Sequence, residues 1–161
     1  MPVLPRFDVE GQVALVTGAA RGLGRAIALA LAAAGADVAL GLRDAAADSG
    51  VPGEIEALGR RALPLQMDIA QAAQIGPAVQ DAAARFGHLD ILVNNAGVAP
   101  GNPAEDVRED DLDATLAVNL KGTFLACQAA GRIMISQGRG GSSASAPRPA
   151  RSPCPENRST A

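Results

Sequence analysis

The chain has 161 residues, 48% of them hydrophobic, and carries a net charge of −3. Three Phe and no Trp or Tyr make any core aliphatic, the length suits one domain, and the acidic balance excludes a whole-chain basic surface for nucleic acid. No stretch has the apolar length of a signal peptide or a membrane span, so a cytoplasmic protein with Cys127 and Cys154 as reduced thiols is expected.

Residues 12–17, QVALVT, form a short β-branched run of the kind buried on both faces of a parallel sheet. A helix is expected over 22–34, with Leu23, Ile27, Ala30, Leu31 and Ala34 on one face and Gly35 as the stop. DVALGL at 37–42 is a second strand, and 44–58 holds a helix interrupted or restarted at Pro52 and Gly53. ALPLQM at 62–67 reads as a third strand, placed at an edge because Pro64 has no amide donor. Residues 71–86 are helical, with Ile75, Val79, Ala82, Ala83 and Phe86 aligned and Gly87 as cap. DILVNN from Asp90 is the fourth strand, AGVAPGNPAED a loop, and about 110–136 a long helix. This alternation predicts right-handed crossovers and a doubly wound, Rossmann-like α/β domain over 1–139.

The alternation then stops. Residues 142–161 hold four prolines and no Val, Ile, Leu, Met or aromatic residue, a composition that predicts a disordered tail over 140–161 and a sheet incomplete after the fourth strand. Losing four or five buried aliphatic side chains would remove on the order of 10 kcal/mol. It would also leave the fourth strand as a bare apolar edge. The Ala, Arg, Pro and Ser bias of the tail suggests a coding frame read out of phase. Arg148, Arg151 and Arg158 read as solvated coil.

Between the first strand and the first helix stands TGAARGLG, residues 17–24. Glycine permits positive φ and close approach of backbone to a ligand, while a helix N-terminus aims free N–H groups at the same place. A dinucleotide pyrophosphate suits this arrangement; a tight turn without ligand is the alternative. His88, the only histidine, has no ligand set around it and is expected on a surface loop, with no metal site.

With TGAARGLG at the first turn, NNAG at 94–97, VNLKG at 118–122 and MDIA at 67–70, the chain resembles the short-chain dehydrogenase/reductases from about residue 7 to 141. The resemblance implies an oxidoreductase transferring hydride between NAD(P)(H) and a carbonyl or secondary alcohol. It maps the pyrophosphate cradle to Thr17, Gly18, Arg21, Gly22, Leu23 and Gly24, and adenine contact to Asp68 and Ile69. The adenosine and nicotinamide-ribose side maps to Asn94, Asn95, Ala96 and Gly97. Asp68 could instead be simply a helix N-cap, a role compatible with adenine contact, and the two asparagines could serve only the scaffold.

At the end of the second strand, where an acid would accept the ribose hydroxyls of NAD, stands Arg43. A guanidinium suits a phosphate, and Arg21 could assist, so NADP(H) is favoured over NAD(H). Both arginines solvated is the alternative.

The resemblance assigns the proton relay to Asn119 together with a serine, a tyrosine and a lysine. Leu112, Leu116, Leu120 and Thr123 share the Asn119 face, so its amide is expected to be carried inward, either for the relay or as a structural bond. The serine should fall near Pro147 and Arg148; no tyrosine occurs, and the sole lysine, Lys121, belongs to the Asn119 helix. Ser142, Ser143, Ser145 and Ser152 are weak substitutes, since none follows a convincing strand. The expectation is therefore an inactive chain. The alternatives are a non-catalytic NADP-binding module, pairing as homo- or hetero-oligomer through the 110–136 helix with a complete homologue, and a fragment without function.

Overall fold

A computed structural model describes residues 8–144. It has five parallel strands in the order β3-β2-β1-β4-β5. The strands are β1 (Val13–Thr17), β2 (Asp37–Leu42), β3 (Ala62–Gln66), β4 (Ile91–Asn94) and β5 (Gly141–Ala144). Between them run α1 (Gly22–Ala33), α2 (Val51–Ala57) and α3 (Ala72–Phe86). After β4 come α4 (Glu109–Leu116) and α5 (Thr123–Gln137), joined through a π-helical stretch at Ala117–Gly122.

Every residue of β1 and β2 is buried, as continuous aliphatic runs require at the centre of a sheet covered on both faces. Alternation along the strands divides the core. Val13, Leu15, Leu65, Met67 and Leu92 face α3 and α5, where Ile75, Val79, Ala126 and Ala130 meet them. Val16, Val38, Leu40 and Leu42 face α1 and α2, against Ala28, Ala32, Val51 and Ile55. Each fully buried Leu or Ile contributes about 1.5–3 kcal/mol relative to exposure. β3 lies at the edge, as Pro64 demands: in register with Leu40, it lacks the N–H that a further neighbour would need.

Three expectations need correction. The buried stripe of α1 is Gly24, Ala28 and Ala32, with Ile27 and Leu31 packed beside it, whereas Leu23 is exposed. Small residues at every fourth position let the helix lie close on the sheet, which a count of large apolar residues does not reveal. The second correction concerns α2. It begins at Val51 and has Pro52 in its first turn, so the proline starts the helix and 44–50 is irregular.

The third is that the sheet does not end at β4. Gly141–Ala144 pairs with Ile91–Asn94 over four positions. The strand forms without buried side chains, all four residues being exposed. Gly138 ends α5 in the left-handed region, and Arg139 Nε lies 2.9 Å from Asp90 Oδ1. The Gly141 N–H then donates to the Asp90 carbonyl (2.8 Å) and starts the ladder. Helix stop, ion pair and backbone bonds do what side-chain hydrophobicity would otherwise do. β4 is thus covered and β5 is the outer strand. The disordered tail expected over 140–161 thus gives way to β5 at 141–144, and the rest of that expectation, over 145–161, lies outside the described residues.

Candidate functional site

Because the strands are parallel, the C-terminal ends of β1, β2, β3 and β4 open on one edge of the sheet. β1 connects through α1 to β2 on one side, while β3 connects through α3 to β4 on the other side of β1. The crevice at such a reversal is where open α/β sheets bind ligands. Thr17, Leu42, Gln66 and Asn94 end their strands there.

The turn after β1 enters this crevice. Gly18 donates its N–H to the Gly41 carbonyl (2.8 Å), pinning the turn to β2. Gly22 adopts φ +58°, and a Cβ built there would meet nothing within 4 Å, so this face of the turn is open. Gly24 is the opposite: a Cβ would overlap the Gly18 carbonyl oxygen and come within 2.5 Å of Asn95 Nδ2. No side chain caps α1 and its first turn holds no acid, so the first-turn N–H groups and the positive end of the helix dipole remain available to an anion. Open space at Gly22 and uncapped amides fit a dinucleotide pyrophosphate.

Asn95 and Thr17 lock this turn to the end of β4. The Thr17 hydroxyl accepts from the N–H groups of Asn95 and Ala96, both at 3.0 Å. Asn95 Nδ2 donates to the carbonyls of Thr17 (3.0 Å) and Gly18 (3.3 Å). Asn94 is buried and its Nδ2 contacts Cys127 Sγ at 3.2 Å. The asparagine pair and Thr17 therefore hold the crevice walls together, with Ala96 against Gly18 and Gly97 exposed.

On the β2–β3 side, Arg43 is exposed immediately after β2, and Arg21 is exposed as the N-cap of α1. Among the described residues neither guanidinium has a carboxylate partner, whereas Arg25 pairs with Glu54. The neighbouring Asp44 is occupied: its Oδ1 accepts from the N–H groups of Ala46 (3.0 Å) and Ala47 (3.3 Å). Asp68 is half-buried after β3, and its Oδ1 accepts from Ala70 N–H at 3.0 Å. It closes a local turn rather than capping α3, whose N-cap is Gln71. Ile69 is buried beneath it, with its carbonyl against Gly122.

Asn119 lies inside the π-helical stretch, half-buried. Its Oδ1 accepts from Val98 N–H (2.9 Å) and its Nδ2 donates to the Val98 carbonyl (2.7 Å). The expected inward face is not one: Leu112, Leu116 and Leu120 are 50%, 46% and 65% exposed. No residue of α4 is buried, and the residues that bury beyond the π-helical stretch are Ala126, Ala130 and Met134. Ser142 and Ser143 stand in β5, exposed, contrary to the view that no strand carries them. The expected serine position near 147 lies outside the described residues.

A family model described as short chain dehydrogenase matches residues 12–142. The chain belongs to the short-chain dehydrogenase family. D-threitol dehydrogenase of Mycolicibacterium smegmatis is 46% identical over 146 residues, covering 83% of this chain and 52% of that protein. A short chain dehydrogenase from Burkholderia cenocepacia J2315, solved in complex with NADP, is 48% identical with a TM-score of 0.74, covering 78% of this chain and 51% of that one. The 7α-hydroxysteroid dehydrogenase solved with NADH and 7-oxo glycochenodeoxycholic acid is 31% identical with a TM-score of 0.81, covering 86% and 54%. The chain spans about half the length of these relatives.

Sequence reasoning missed two features, one at this edge and one at the opposite, N-terminal edge of the sheet. Gln66 and Gln74, which tie the Arg43 loop to the Asp68 turn, carry no charge or motif to single them out. His88 is not a free surface residue: its Nε2 lies 3.1 Å from Asp90 Oδ2 and 3.2 Å from the Gly11 carbonyl. An acid two residues away was the available signal.

Proposed function

We propose that this chain is an NADP(H)-binding part of a short-chain oxidoreductase. NADP and NADH both occur among the solved neighbours, so the fold alone does not choose between them. The side chains at the end of β2 favour NADP: Arg43 is exposed and unpaired among the described residues, while the carboxylate of Asp44 is spent on its own loop. That pairing of a free guanidinium with an occupied acid carries the reading.

In this reading the uncapped first turn of α1 and the backbone at Gly22 take the pyrophosphate, with Arg21 and Leu23 at its rim. Arg43 takes the 2′-phosphate, and Asp68 and Ile69 meet the adenine. Asn95, Ala96 and Gly97 form the wall on the ribose side. When bound, the nicotinamide would donate or accept hydride to or from a carbonyl or secondary alcohol. Asn119 orients the loop after β4 through Val98. The 161 residues hold no tyrosine, so no phenol here can exchange the accompanying proton, and no turnover by this chain alone is expected.

A second reading has an observation of its own. Leu112, Leu116, Leu120 and Phe124 lie 46–65% exposed along α4, the π-stretch and α5. An apolar strip of this kind fits a homo- or hetero-oligomer in which a complete relative supplies the missing chemistry. Cys127 as a free thiol suits a cytoplasmic setting.

Calorimetric titration with NADPH and NADH tests the first reading. NADPH should bind more tightly, and Arg43→Ala should weaken NADPH about tenfold while leaving NADH nearly unchanged. Equal affinity of the unmodified chain for the two would reject it.

A further inference from the structure

β3 ends at Gln66, in register with Leu42, the last residue of β2. Past this point the two strands diverge into irregular loops, yet the pairing is prolonged by a side chain. Gln66 Nε2 donates to the Arg43 carbonyl (2.7 Å), and Gln66 Oε1 accepts from Ala45 N–H (3.0 Å). The carboxamide thus occupies the place of one more strand residue, grasping the backbone on both sides of Asp44.

The same group reaches across to the adenine side. Gln66 Nε2 also lies 3.3 Å from Gln74 Oε1, which accepts from the Asp68 N–H at 2.8 Å. Gln74 is itself steadied by donating to Gln71 Oε1 (3.1 Å). Two glutamines therefore hold the backbone of Arg43 and that of Asp68 in fixed relation, although the segment 43–48 is almost wholly exposed. A loop without apolar burial would otherwise sample many conformations and carry its arginine with it. Fixing it before ligand arrives lowers the ordering cost of binding.

We propose that Gln66 is a positioning residue for cofactor selection, setting the Arg43 backbone so that its guanidinium meets the 2′-phosphate. This rests on the NADP(H) reading given above. Gln66 itself touches no cofactor; it acts through the loop. Its loss therefore weakens ligands that carry the 2′-phosphate more than those that lack it.

The probes are NADPH, NADH, 2′,5′-ADP and 5′-AMP, titrated against the full chain, Gln66→Met, Arg43→Ala and the double variant. Methionine keeps the length of the side chain and removes both hydrogen bonds. Gln66→Met should weaken NADPH and 2′,5′-ADP about fivefold to tenfold, and NADH and 5′-AMP less than about twofold. In the Arg43→Ala background the same substitution should change NADPH affinity hardly at all, because the two residues act as one unit. Equal losses for all four ligands, or full additivity with Arg43→Ala, would assign Gln66 a general structural role and overturn the proposal. A parent chain with no preference for NADPH would overturn both readings. A parent that prefers NADPH beside an unaltered Gln66→Met would reject this one alone.

Discussion

Asn119 and Val98 are joined twice, by the acceptor and by the donor of a single carboxamide. The connection from β4 to α4 is long and exposed, and this clamp ties it to the helix at its π-turn. Gln137 repeats the device at the other end of α5: its Oε1 accepts from Leu89 N–H (3.0 Å) and its Nε2 donates to the Leu89 carbonyl (2.9 Å). The segments on both sides of β4 are thus fastened to one helical rod, which fixes the crevice wall that Asn95 and Ala96 form.

Replacing Asn119 tests the clamp. Asn119→Leu removes both bonds and should cost about 1–2 kcal/mol, with faster amide exchange at Val98. Asn119→Asp should do no better, since it keeps the acceptor for Val98 N–H but turns an oxygen towards the Val98 carbonyl. Native protection of the Val98 amide in Asn119→Leu would contradict the assignment.

Gly24 and Gly22, six and four residues beyond Gly18, should respond in opposite ways. Gly24→Ala drives a methyl into the Gly18 carbonyl and Asn95 Nδ2, and backbone there cannot yield cheaply. A loss of about 1–3 kcal/mol is expected, together with the nucleotide site, because turn and NNAG segment are pushed apart. Gly22→Ala meets open space and pays only for its positive φ, about 1–2 kcal/mol, so the sheet-side packing survives. Thermal melting with and without NADPH separates them. Gly24→Ala melting like the parent and still stabilised by NADPH would refute the close packing.

Strand and helix types, the parallel sheet and the glycine turn were legible because β1 and β2 are buried on both faces and α3 keeps a strict apolar stripe of Ile75, Val79 and Ala82. The fifth strand was not legible. Gly-Ser-Ser-Ala carries no apolar pattern, and what recruits it is the pairing of Arg139 with Asp90 across nearly fifty residues. The exposure of Leu112, Leu116 and Leu120 was hidden for a different reason: spacing shows that apolar residues share a helix face, not that anything covers it, and no residue of α4 is buried. At the site, charge and motif pointed to Arg43 and Asp68, while the neutral glutamines that hold them had no such mark.

The Arg139–Asp90 contact makes its own prediction. Asp90 is buried and also accepts from Val13 N–H at 2.9 Å, so the carboxylate joins β1, His88 and the start of β5. Arg139→Ala should loosen β5 selectively. The Gly141 amide should exchange faster by about tenfold, while β1 and β2 amides keep their protection. Uniform acceleration across the sheet, or none at Gly141, would show that β5 is held by something else.

Asp37 links acid sensitivity to the far end of the sheet. Burial alone would push its carboxyl up, but hydrogen bonds from the Arg61 N–H and guanidinium and the charge of Arg60 outweigh it, and the net direction is downward from 3.8. A carboxyl lowered in the fold stabilises it above the unfolded value and loses that contribution as pH falls through the folded value. Arg61 meanwhile lies 4.8 Å over the Phe86 ring, which keeps its guanidinium in place. Asp37→Asn should therefore be less stable than the parent at about pH 7, and the gap should narrow as pH falls below about 4. Urea unfolding of both proteins across that range reads the difference directly; a gap that stays constant would mean that the charge of Asp37 contributes nothing.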